Sequence, residues 1–95
     1  MSEIDPHADQ PVVRSGEPLE EARAAMILVH GRGASATNIL SLGEALRLVD
    51  YSMLAPQAAG HTWYPYSFLE PMERNEPHLS SALRRLETLV EEVIA

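Results

Sequence analysis

A continuous apolar run, Ala24-Ala25-Met26-Ile27-Leu28-Val29, ends in His30-Gly31-Arg32-Gly33 and is followed at once by a helical pattern. That succession constrains the fold more than any other feature of the chain. An apolar run without alternation reads as a strand covered on both faces of a parallel sheet. The glycines mark a turn at its C-terminal end, and Ile39, Leu42, Leu46 and Val49 then recur with the spacing of one helix face. Ser35 or Thr37 is placed to cap this helix. Gly43, inside it, costs about 1 kcal/mol relative to alanine without overturning the pattern.

A second strand is expected over Tyr51 to Ala55, stopping at Pro56. It lies parallel to the first through a right-handed crossover. Residues 56–75 hold Gly60, Pro65 and Pro71 among Trp63, Tyr64, Tyr66 and Phe68 and read as an irregular loop, a kind of segment that usually carries function. A long helix closes the sequence, with Leu79, Leu83, Leu86, Val90, Val93 and Ile94 on one stripe and Arg84, Arg85, Glu91 and Glu92 largely off it. Asn75 is its cap candidate and Pro77 falls in its first turn.

Ahead of the first strand, residues 1–23 read as an acidic, proline-containing tail with an edge strand or hairpin at Val12-Val13 that ends near Gly16. Residues 24–95 then read as strand, glycine turn, helix, strand, loop and helix of an α/β unit, after which a third strand is expected. Ninety-five residues suffice for one small domain. A two- or three-stranded sheet that must cover a full apolar helix stripe is a poor size for an independent unit.

Composition narrows the partners. The net charge is −7 and all seven basic residues are arginines, scattered singly except Arg84-Arg85, so the basic face that nucleic acid requires is missing. The apolar runs are too short to cross a bilayer. No cysteine is present, which removes thiolate metal sites and a cysteine nucleophile, and the histidine spacing fits no metal site. The acidic N-terminus lacks the basic-then-apolar order of a secretory signal, so a cytoplasmic location is expected.

Three readings compete for Gly31 to Ser35. The first is a tight turn that needs glycine only for its backbone angles. The second is a phosphate or nucleotide site at the helix N-terminus, since Gly31-x-Gly33-x-x-Ala36 fits a dinucleotide pattern and Asp50 falls near the count of its acid. Asp50 precedes the second strand, however, whereas the ribose-binding acid closes it. A P-loop is excluded, because no Gly-Lys-Ser/Thr follows.

The third reading also accounts for His30 and the loop aromatics. His30-Gly31-Arg32-Gly33-Ala34-Ser35 resembles the His-Gly-x-Gly turn of esterases and lipases, where a main-chain N–H forms half of the oxyanion hole. Downstream, Leu54-Ala55-Pro56-Gln57-Ala58 and His61-Thr62-Trp63-Tyr64-Pro65 are similar to a segment of the phospholipase/carboxylesterase family of small serine α/β-hydrolases.

The resemblance covers residues 24–95 and implies the N-terminal part of a doubly wound, mostly parallel α/β-hydrolase sheet. It further implies a carboxylic ester or thioester substrate, small or lipid, and no cofactor or metal. By the same resemblance the Arg32 N–H faces the oxyanion, His30, Gly31 and Gly33 shape the substrate-side turn, and Trp63 and Tyr64 border the acyl pocket. Arg32 stands where many relatives carry an apolar residue.

A serine hydrolase of this kind also needs a nucleophile on G-x-S-x-G, then an acid, then a histidine. None of the serines has that context. The chain is therefore expected to be truncated before the nucleophile elbow and inactive alone. The alternatives are a small non-catalytic α/β module binding a phosphate or nucleotide at Gly31–Ser35, and a fragment completed by a partner chain or a second copy.

Overall fold

A computed structural model describes residues 5–94. Three strands, β1 (Val12–Gly16), β2 (Ala24–Ile27) and β3 (Tyr51–Pro56), form one sheet in the order β1-β3-β2. Helix α1 (Ala36–Ala45) joins β2 to β3, and α2 (His78–Ile94) closes the chain. Strand β3 pairs in parallel with β2 and antiparallel with β1, so the N-terminal strand is an edge strand without a hairpin partner.

The buried centre of the sheet is β3 rather than β2. Residues 52–56 of β3 are buried, whereas all four residues of β2 are half-buried. The apolar run at Ala24 suggested the reverse. Its outer edge has no strand beside it among the described residues, so only β3 carries neighbours on both sides.

Side-chain alternation along β3 divides the core. Met53 and Ala55 face α1 and pack with Ala36 and Leu40, flanked by Val13, Met26, Leu28 and Ile39. Ser52, Leu54 and Pro56 point to the opposite face, where α2 lies. Arg14, in register with Leu54, reaches Glu92 of α2 at 2.9 Å, and Ala25 shares a cleft with Val93. Leu54 is completely buried, which contributes roughly 2–3 kcal/mol from apolar transfer.

Both helices turn a different face inward than their large apolar residues suggest. In α1 the Ser35 hydroxyl accepts from the Asn38 N–H as the expected cap, but the buried positions are Ala36, Leu40 and Gly43. Leu42 is 62% exposed, while Leu46 and Val49 lie beyond the helix and are exposed. Gly43 explains the choice, since a Cβ there would stand 2.7 Å from Leu28 Cδ2 and 3.1 Å from Met53 Sδ. Its missing side chain lets the helix approach the sheet.

In α2 the buried residues are Ser81, Ala82 and Leu89, of which Leu89 is the only large apolar one. Leu79, Leu86 and Val93 are half-buried, and Leu83, Val90 and Ile94 are exposed. The stripe is therefore covered along one border only.

Asn75 does not cap α2. Its buried amide instead takes the Tyr66 N–H at 2.6 Å and donates to the Ser67 carbonyl, folding the loop back on itself. The Glu76 carboxylate caps the helix by accepting the Ser80 N–H and hydroxyl, and these bonds hold its pKa below the usual carboxylate value. The loop contains one-turn 3₁₀ segments at Ala59–His61 and Met72–Asn75. No described helix is long and apolar enough to cross a membrane.

Candidate active-site turn

The parallel strands β2 and β3 end side by side, so the turn after β2 and the Gln57-Ala58 stretch after β3 meet at one edge of the sheet. Ligands bind at that edge in α/β folds. Asp50 lies at the other end of β3 with φ of 65°, and its carbonyl accepts the Arg23 N–H. It is remote from the glycine turn.

His30 anchors the turn from below. The ring is buried, and Nε2 accepts the Ala58 N–H at 3.1 Å. An acceptor at Nε2 puts the proton on Nδ1, which donates to the Gly31 carbonyl at 2.8 Å. Both ring nitrogens are thus occupied in positioning main chain.

The turn itself is closed by the Ala34 N–H donating to the Gly31 carbonyl, with Gly33 at φ of 78°. Left-handed backbone of this kind favours glycine, and an added Cβ at Gly33 would meet nothing within 4 Å. Space is therefore not what selects glycine there.

Five hydrogen bonds clamp the turn to the aromatic loop. The Trp63 indole N–H donates to the His30 carbonyl, the Gly33 N–H to the His61 carbonyl, and His61 Nδ1 to the Ala34 carbonyl; Arg32 donates from Nη1 to the Pro65 carbonyl and from Nη2 to the Tyr66 carbonyl. The Trp63 ring also stacks on His30 with centroids 5.2 Å apart, and the Arg32 guanidinium sits 5.5 Å from the Tyr64 centroid. His30, Gly31, Arg32, Gly33, Trp63 and Tyr64 are therefore brought to one place. His61, which sequence reasoning placed in a motif without giving it work, is part of the same clamp, while Gln57, from the same motif, lies outside it and donates to the Ala58 carbonyl beside His30.

The clamp leaves a defined set of donors open. Gly33 and Ala34 are engaged within turn and loop, Ala36 donates to Gln57 Oε1 at 2.8 Å, and Asn38 donates to Ser35. Among the described residues, the main-chain N–H groups of Gly31 and Arg32 donate to no group of the chain, and both residues are exposed. No group of three or more described His, Asp or Glu residues converges as a metal site would require.

No family model matches the chain, and no curated protein does. Among solved structures, a phospholipase/carboxylesterase from Dyadobacter fermentans matches with a TM-score of 0.83 and 40% identity over 90% of this chain. The match spans 41% of that protein's chain, so the present chain accounts for less than half of its length. In sequence and in fold together, this chain resembles the N-terminal portion of an α/β-hydrolase of the phospholipase/carboxylesterase family.

Proposed function

We propose that the chain is the N-terminal section of a serine hydrolase acting on carboxylic ester or thioester bonds, and that the Arg32 main-chain N–H is one arm of its oxyanion hole. The observation that carries this reading is the exposed Arg32 N–H, which with that of Gly31 stays open on a turn where the Gly33 and Ala34 N–H groups are engaged. As a nucleophile adds to an ester carbonyl, charge moves onto the carbonyl oxygen. A fixed N–H aimed at that oxygen stabilises it without reorganising.

The His30 anchor and the Trp63 clamp hold the turn from both sides, which is the preorganisation such a donor needs. Trp63 and Tyr64 supply the apolar border for an acyl group. The nucleophilic serine, acid and histidine are assigned to residues outside this sequence, so the chain alone is expected to be inactive.

The phosphate-binding alternative draws instead on the helix N-terminus. The N-terminal donors of α1 at Ala36 and Asn38 are taken by Gln57 and Ser35, leaving less for a phosphate.

The test is a chimera in which residues 5–94 replace the matching segment of the Dyadobacter fermentans protein, assayed with a short-chain nitrophenyl ester. Hydrolysis is expected. Arg32→Ala keeps the main-chain N–H and keeps most of the activity, whereas Arg32→Pro deletes the N–H and lowers kcat by about 10² to 10³. A folded chimera without activity, or equal rates in the two variants, rejects the proposal.

A further inference from the structure

The segment ahead of β1 is held to α2 by Asp5 on Ser81 and Arg84 and by the Gln10 carbonyl on Arg85, and to the aromatic loop by the His7 ring. His7 is completely buried, and its main-chain N–H donates to Ser81 Oγ at 2.9 Å. Nδ1 accepts the Ala59 N–H at 3.0 Å, and Nε2 lies 2.8 Å from the Trp63 carbonyl. An amide N–H can only donate, so Nδ1 carries a lone pair and the ring proton sits on Nε2, donating to Trp63. The site therefore accepts one neutral tautomer. A second proton has only Nδ1 to occupy, where it would oppose the Ala59 N–H donor to donor.

We infer that His7 is a positioning residue whose neutral ring latches the N-terminal segment to the Ala59–Trp63 loop, and that a proton on Nδ1 opens the latch. The ring packs on the Trp63 indole with centroids 5.0 Å apart, and Trp63 in turn holds the His30 carbonyl at the glycine turn. Opening the latch loosens that turn. Its bearing on ester hydrolysis rests on the function proposed above, whereas the latch itself does not.

The groups facing His7 come from three elements. From its own segment, Asp5 favours the protonated ring, but Asp5 is engaged by the Ser81 hydroxyl and lies 3.2 Å from Arg84. From α2, the His78 ring stands edge-on at 5.9 Å and opposes a second positive charge, whereas the His78 backbone, as a hydrogen-bond acceptor, favours it. The loop presents Ala59 and Trp63, neither charged.

Burial is the largest influence, and it holds the imidazole below its ordinary value of 6.5 against the opposing pull of the Trp63 carbonyl, Asp5 and the His78 backbone. A released ring takes up a proton near 6.5 and the latched ring does not. Attachment is thus at full strength above 6.5 and weakens as the pH falls below it.

Trp63 is the sole tryptophan, so its emission reports on the latch. In the 95-residue chain, acidification from about pH 8 to about pH 4 is expected to shift that emission. The protection of the His7 and Ala59 amides against exchange should fall by up to about tenfold per pH unit below 6.5, while β3 amides stay protected. His7→Gln, which does not titrate, removes the emission step. A ring titration by NMR on the unsubstituted chain adds a measurement independent of that variant's folding and is expected to place His7 below 6.5.

A His7 ring titrating at or above 6.5 overturns the latch. So does an emission step retained in folded His7→Gln, or β3 amides that open together with His7. Loss of the function proposed above would appear in the chimera assay while these readouts stayed intact.

Discussion

The indole N–H of Trp63 donates to the carbonyl oxygen of His30 at 2.9 Å, joining positions 33 residues apart. That carbonyl is the last one before the glycine turn, so the indole fixes where the turn begins. The same ring contacts both His7 and His30. One side chain thus connects the N-terminal segment, the aromatic loop and the turn.

Trp63→Phe keeps an aromatic ring against the two imidazoles and deletes the donor. Leaving the His30 carbonyl without its partner is expected to cost about 1–2 kcal/mol, read from the urea midpoint followed by circular dichroism. An unchanged midpoint would show that the bond does not hold the turn.

The two turn glycines should separate. At Gly33, with φ of 78°, alanine costs about 1–2 kcal/mol through the backbone alone, because no atom lies within 4 Å of its Cβ. Gly31 has ordinary φ and equally open space, so Gly31→Ala should change stability by less than about 0.5 kcal/mol. Thermal unfolding of the two variants checks the difference.

Gly43 opposes two effects of similar size. Alanine gains about 1 kcal/mol of helix propensity but crowds Leu28 and Met53, whose side-chain ends can yield, so the net change in Gly43→Ala is expected within about 1 kcal/mol of zero. Gly43→Leu has no such room and should lose about 2–3 kcal/mol by denaturant titration.

On α2, the inner and outer borders of the apolar stripe predict opposite behaviour. Leu89→Ala should cost about 2–4 kcal/mol, since Leu89 is 1% exposed. Leu83→Gln with Val90→Gln should change stability by less than about 0.5 kcal/mol per site and reduce self-association in sedimentation velocity.

The two main strands, both helices, the Ser35 cap and the meeting of the glycine turn with the aromatic loop were legible in the residues. Periodicity shows that a helix has an apolar face but not which part of it the sheet covers. Leu42, Leu46 and Val49 misled for that reason, as did Leu83 and Val90, while Ala36 and Gly43 were chosen inward for closeness rather than hydrophobicity. The clamp was invisible because most of its acceptors are main-chain carbonyls, which any sequence supplies. His7 gave no signal at all, since a lone histidine in an acidic, proline-containing tail has no pattern to read. Glu76 rather than Asn75 caps α2 because the Asn75 carboxamide is committed at both ends to the loop.

Among the described residues, β3 is the last strand in chain order yet lies between β1 and β2. A nascent chain leaving the ribosome therefore exposes Val12–Gly16 and Ala24–Ile27 before either has a neighbour to pair with. Both must wait until Tyr51–Pro56 has emerged, and then they dock on its two edges. Such long-range pairings delay folding. The emergence of Pro56 from the ribosome is thus the earliest moment at which this sheet can form.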